Sequence, residues 1–126
     1  MDKAVLVAPD FKAGLELVRA LESRVPISVA LWLYSSDHED WRFVLASRQL
    51  DAAGPTEAYG LVHDALASAG ISLEQTPALM ILKMSDPMIR ELRRMFSKTK
   101  SVEGMRLGGQ RVGNQFVQEA LVYRVR

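Results

Sequence analysis

Cysteine is absent from this chain of 126 residues. Its absence excludes disulfides, thiolate zinc sites and cysteine nucleophiles, and it fits a reducing compartment. Long apolar runs are missing as well. The longest, at 4–8, 29–33 and 78–82, fall far short of the roughly 20 residues that a transmembrane helix requires. The opening Met1-Asp2-Lys3 carries neither a basic leader nor a long apolar stretch, which argues against a secretory signal and for a cytoplasmic protein with no membrane partner. Nor does either sign of charge dominate: 16 Lys+Arg stand against 15 Asp+Glu, for a net charge of +1. A generic polyanion sponge is thereby excluded.

The familiar catalytic signatures are also missing. No Gly-x-x-x-x-Gly-Lys-Ser/Thr occurs, and Gly104, Gly108, Gly109 and Gly113 do not form Gly-x-Gly-x-x-Gly at a strand-to-helix turn, so no phosphate-cradling loop is signalled. No Gly-x-Ser-x-Gly elbow nominates a nucleophile. The only histidines, His38 and His63, stand in no His-x-x-x-His or Glu-x-x-His spacing, so neither a metal nor another cofactor is expected.

What the chain does contain is 48% apolar residues in periodic segments. At this length folding buries roughly two-thirds of the surface of the unfolded chain, enough for one core. From Pro9, apolar residues at Phe11, Leu15, Val18 and Val25, widened by Gly14, Leu17 and Leu21, predict an amphipathic helix that Pro26 stops. Residues 27–34 read Ile-Ser-Val-Ala-Leu-Trp-Leu-Tyr, a covered central strand, and a polar loop joins them to a second strand over 41–47. Gly54-Pro55 opens a second helix with Tyr59, Val62, Leu66 and Ala69 on one face, ending at Gly70. Residues 78–82 fit a short interior strand. Ser85-Asp86-Pro87 starts a third helix, with Met88, Ile89, Leu92, Met95 and Phe96 on its core face. Two last strands, over about 102–112 and 115–125, meet at a Gly113-Asn114 turn. The order α-β-β-α-β-α-β-β over residues 1–126 predicts a single two-layer α+β domain, with helices packed on a mostly antiparallel five-stranded sheet.

Four groups of residues are candidates for function. Asp37-His38-Glu39-Asp40 sets carboxylates beside an imidazole on the first hairpin loop, although consecutive loop residues diverge and these are ordinary turn formers. His63 borders the apolar face of the second helix, where a histidine either titrates near neutral pH or simply packs. Arg90, Arg93 and Arg94 share one face of the third helix at i, i+3 and i+4. Lys98, Lys100, Arg106 and Arg111 follow, so residues 90–111 hold 7 basic residues against 2 acids. Guanidinium forks suit phosphates and carboxylates, and neutralised phosphates give affinity through counterion release. Phe96, the one aromatic of the stretch, falls on the core face and leaves nothing to stack on bases.

The fourth group is the last hairpin. Pairing Val112 with Gln115 sets Leu107 opposite Ala120, Met105 opposite Val122 and Glu103 opposite Arg124 on one face. On the other face Gly108 lies opposite Glu119, Gly104 opposite Tyr123, and Arg106 diagonal to Glu119. Glycine within a strand marks a bulge, a close backbone approach or a ligand floor. Arg106, Glu119 and Tyr123, with His63, are therefore the residues of a candidate small pocket.

Met80, Met84, Met88, Met95 and Met105 lie in one quarter of the chain, as core filler or at a subunit contact. A five-stranded sheet also leaves two edges, and a second copy commonly covers one. The preferred function is a non-catalytic interaction or regulatory module that self-associates as a homodimer. A nucleic-acid or other polyanion binder, or a partner for an acidic protein, comes next through the basic face. A small enzyme with a pocket around Glu119 and Arg106 comes third. Residues 1–63 hold 6 basic and 9 acidic groups while 64–126 hold 10 and 6, so acids near the first hairpin are candidate partners for the arginines of the third helix.

Overall fold

The computed structural model describes residues 8–35 and 40–126, so Asp37, His38 and Glu39 of the acidic loop lie outside the described residues. Helix α1 (Ala8–Glu22) turns Leu17, Val18 and Leu21 into the core. Its hydrogen bonding runs on to Val25, whose amide donates to Leu21 O at 2.7 Å. Pro26 then disfavours helical backbone at the residue before it and ends the run.

Strands β1 (Val29–Ser35) and β2 (Asp40–Ala46) pair antiparallel, with Val29 opposite Ala46 and Tyr34 opposite Trp41. Next comes a helix that the apolar pattern does not predict, α2 (Arg48–Ala53). The buried Ser47 caps it by accepting the Leu50 amide at 3.2 Å. Six residues with Leu50 as the buried one carry no periodicity to read. Helix α3 (Pro55–Ser68) begins at Gly54-Pro55 as predicted, and a 3-10 turn over Leu73–Gln75 leads into β3 (Leu79–Ile81). The Asp86 carboxylate caps α4 (Pro87–Met95) by accepting the Met88 amide at 2.9 Å. Strands β4 (Met105–Val112) and β5 (Gln115–Val125) complete the order.

The five strands form one sheet in the order β3-β2-β1-β5-β4, an α+β domain with helices on a sheet. The hairpin register matches the sequence reading at Val112/Gln115, Leu107/Ala120, Met105/Val122 and Gly108/Glu119. Two features differ from expectation. The sheet is mixed rather than mostly antiparallel, because β3 runs parallel to β2 with Val44 beside Met80; α2 and α3 form a crossover that returns the chain in the same direction. Helices also cover both faces, giving three layers where two were expected. Residues of α1, α2 and α3 pack with Ala30, Trp32, Phe43 and Leu45, whereas Met88, Ile89 and Leu92 of α4 pack with Val29, Leu31, Leu33 and Val44. A strand apolar on both sides, as β1 is, needs a layer on each.

The β4–β5 ladder passes over Gly109, whose φ is +63. Leu107 and Val112, of opposite parity in the strand, are both buried.

Candidate functional site

Asp86 and Pro87 set the phase of α4. With Met88, Ile89 and Leu92 in the core, Arg90 and Arg94 fall on the exposed side and Arg93 lies at the border. Among the described residues no acid of the first half of the chain pairs with them. Asp40 lies beside Arg42 on its own strand, at 3.4 Å. Arg94 pairs instead with Glu91, its Nε donating to Oε1 at 3.0 Å. That hydrogen bond, reinforced by the guanidinium charge, holds the Glu91 carboxyl below its ordinary pKa and raises that of Arg94. Arg93 Nε donates to the Arg126 backbone oxygen at 2.7 Å. Among the described residues no acid pairs with Arg90, Lys98, Lys100 or Arg111, and all four are exposed.

On the last hairpin, Arg106 Nη1 donates to Glu119 Oε2 at 3.2 Å, the diagonal contact that the register predicts. Gly108 faces Glu119 across the ladder and lies so near the Gln118 carbonyl that a Cβ there would stand 3.3 Å from it. The Arg106 side chain is 51% exposed, which makes this a surface ion pair of roughly 0–1 kcal/mol. Tyr123 is buried, its ring stacked on Phe11 at 5.2 Å and its hydroxyl donating to Phe11 O at 2.9 Å. His63 sits half-buried on α3, and its Nδ1 is buried without a hydrogen-bond partner. No bond links His63 to the Arg106–Glu119 pair.

Glu103 precedes β4 and does not reach Arg124 as the register alone suggests. Ala30 pairs with Arg124 but Leu31 pairs with Val122, so Tyr123 is the extra residue of a β-bulge. Tyr123 and Arg124 both turn to α1 as a result. Arg124 meets Glu22 at the end of that helix, with Nη2 donating to Oε1 at 2.9 Å. Burial lowers the pKa of Arg124, and the charge of Arg126 adds to the effect. Two further polar contacts had no sequence signal. Tyr59 accepts the Ile81 amide on its hydroxyl at 3.1 Å, and Asp51 accepts the Met84 amide at 3.1 Å.

Several hollows mark the described surface, three of them as follows. One of about 480 Å³, beside α1 and residues 70–77, is floored by Trp32. A second, about 170 Å³ and apolar, lies between α3 and β3 at Pro55, Tyr59 and Ile81. The third is an open depression of about 390 Å³ on α4, lined by Pro87, Arg90, Glu91 and Arg94. None of the three is lined by Arg106, Glu119, His63 or Tyr123, although Tyr123 lines a fourth, of about 160 Å³, with Lys100 and Arg124. Among the described residues no group of three or more His, Asp or Glu could hold a metal ion, and no helix is long and apolar enough to cross a membrane. No family model, curated protein or solved structure matches the chain. The functional reading therefore rests on the chemistry of these surfaces.

Proposed function

We propose that the protein is a non-catalytic interaction module that self-associates through the outer edge of β4. The observation that carries this reading is the contrast between the two ends of the sheet. At one end β3 is three residues long, and the Tyr59 hydroxyl occupies the Ile81 amide. At the other, β4 presents eight residues with no described strand beyond it, a row of backbone groups that a second strand can pair with. Gly108 and Gly109 leave the middle of that edge without side chains. Met105 and Phe116 stand near its two ends, 40% and 62% exposed, and an antiparallel pairing of two β4 strands brings each copy's Met105 toward the Phe116 end of the other. Arg106 carries its own counter-charge in Glu119, which reduces repulsion between copies.

Sedimentation equilibrium of the whole chain tests the reading. A dimer is expected, with β4 amides exchanging more slowly as protein concentration rises. The double variant M105D/F116D changes exposed side chains and should give a folded monomer. A wild-type chain that stays monomeric at high concentration overturns the proposal.

A further inference from the structure

The cations of α4 are the strongest feature that self-association leaves unexplained. Arg90, Arg94 and Lys98 follow one another at intervals of four. The helical hydrogen bonding runs past the end of α4, with Phe96 N donating to Leu92 O and Ser97 N to Arg94 O. Arg90 and Arg94 therefore stand about 6 Å apart along α4, at 1.5 Å of rise per residue, and Lys98 follows in the turn beyond its end. Lys100 lies just beyond, after a turn closed by the Thr99 amide on Phe96 O.

Most of this charge is uncompensated. Arg94 has Glu91, whereas Arg90, Lys98 and Lys100 have no acidic partner among the described residues. The surface around them is polar, with Ser97 and Thr99 exposed and Phe96 buried. Stable protein partners need an apolar or aromatic anchor, and single strands need exposed aromatics on which bases stack. The stripe offers neither. It does offer a run of exposed cations, and a duplex carries one phosphate per roughly 1.7 Å of axis.

We infer that this stripe binds the phosphate backbone of double-stranded DNA without reading its sequence. Phosphate oxygens bridge Arg90 and Arg94 over the open depression between them, and Lys98 and Lys100 neutralise phosphates further along. The site belongs to a single chain and does not depend on self-association.

Fluorescence anisotropy with a labelled duplex, followed over a sodium chloride series, tests the inference. Three phosphate contacts give a log–log salt slope of about −2.7, or an affinity loss of about 40-fold between 50 and 200 mM salt. The variant R90A/K98A/K100A removes no ion pair and should keep its fold, checked by circular dichroism. Its affinity at low salt should fall tenfold or more, and its slope should flatten. The matched control K12A/R19A/R24A removes equal charge from exposed positions on and just after α1, on the other face of the sheet, and should bind almost as wild type does. Equal losses in both variants, absence of binding at low salt, or binding of heparin but not of duplex DNA would each overturn the inference.

Discussion

Gly14 lies inside α1, where exchanging glycine for alanine ordinarily stabilises a helix by about 1 kcal/mol. Here the tertiary structure reverses that sign. A Cβ at Gly14 would overlap the Tyr123 hydroxyl and the ring atoms next to it. Tyr123 would have to retreat, loosening its stack on Phe11 and its hydrogen bond to Phe11 O. Overpacking of a well-filled site costs about 1–3 kcal/mol, and the lost hydrogen bond about 1 kcal/mol more. Against the helix-propensity gain, Gly14→Ala should destabilise the protein by about 1–3 kcal/mol. Y123F gives little relief, because ring atoms as well as the hydroxyl stand in the way. Y123L removes the obstruction, and in that background Gly14→Ala should stabilise by up to about 1 kcal/mol, a coupling of about 2–4 kcal/mol across the double-mutant cycle. Urea unfolding followed by Trp32 and Trp41 fluorescence and by circular dichroism measures all four proteins. A Gly14→Ala protein more stable than wild type would refute the close approach of α1 to β5.

Three further predictions follow from polar contacts. Ser47→Ala removes the cap of α2 and leaves the Leu50 amide unpaired, so stability should fall by about 1 kcal/mol in the same urea assay. Tyr59→Phe should speed hydrogen exchange at the Ile81 amide while lowering global stability by no more than about 1 kcal/mol; unchanged exchange would show that the hydroxyl does not guard that edge. Glu91 has its pKa lowered by Arg94, so its contribution to stability is present above the ordinary carboxylate pKa and lost as pH falls through the lower folded value. Carboxyl titration by NMR should show that pKa rising toward the ordinary value in the Arg94→Ala variant.

Much of the fold is legible in single residues because their signals act over a few positions. Asp86-Pro87 opens α4 with the carboxylate on an amide two residues away. Gly54-Pro55 opens α3, and Gly113 turns the last hairpin at φ +63 with its register in place from Val112/Gln115 to Met105/Val122. Helix α2 escapes notice because Ser47 and Leu50 are its only marks. Of the four candidate pocket residues, two meet as the register implies. The Arg106–Glu119 contact lies within one hairpin and follows from register, whereas Tyr123 and His63 belong to contacts or surroundings that no local pattern specifies.

The sequence by itself determined most of the elements, their order and the pairing within the two hairpins, because caps, turns and apolar period are local physics. Only the tertiary structure decided which remote groups meet. One extra residue in β5 sends Arg124 to Glu22 and Tyr123 to Gly14, and the direction of β3 depends on a crossover rather than on its own three residues. The same holds for charge. Composition gives a near-neutral chain, and packing decides that Arg94 and Arg106 find acids while Arg90, Lys98 and Lys100 face water. Electrostatic partnership depends on distance in space, which a linear chain does not encode until its faces are brought together.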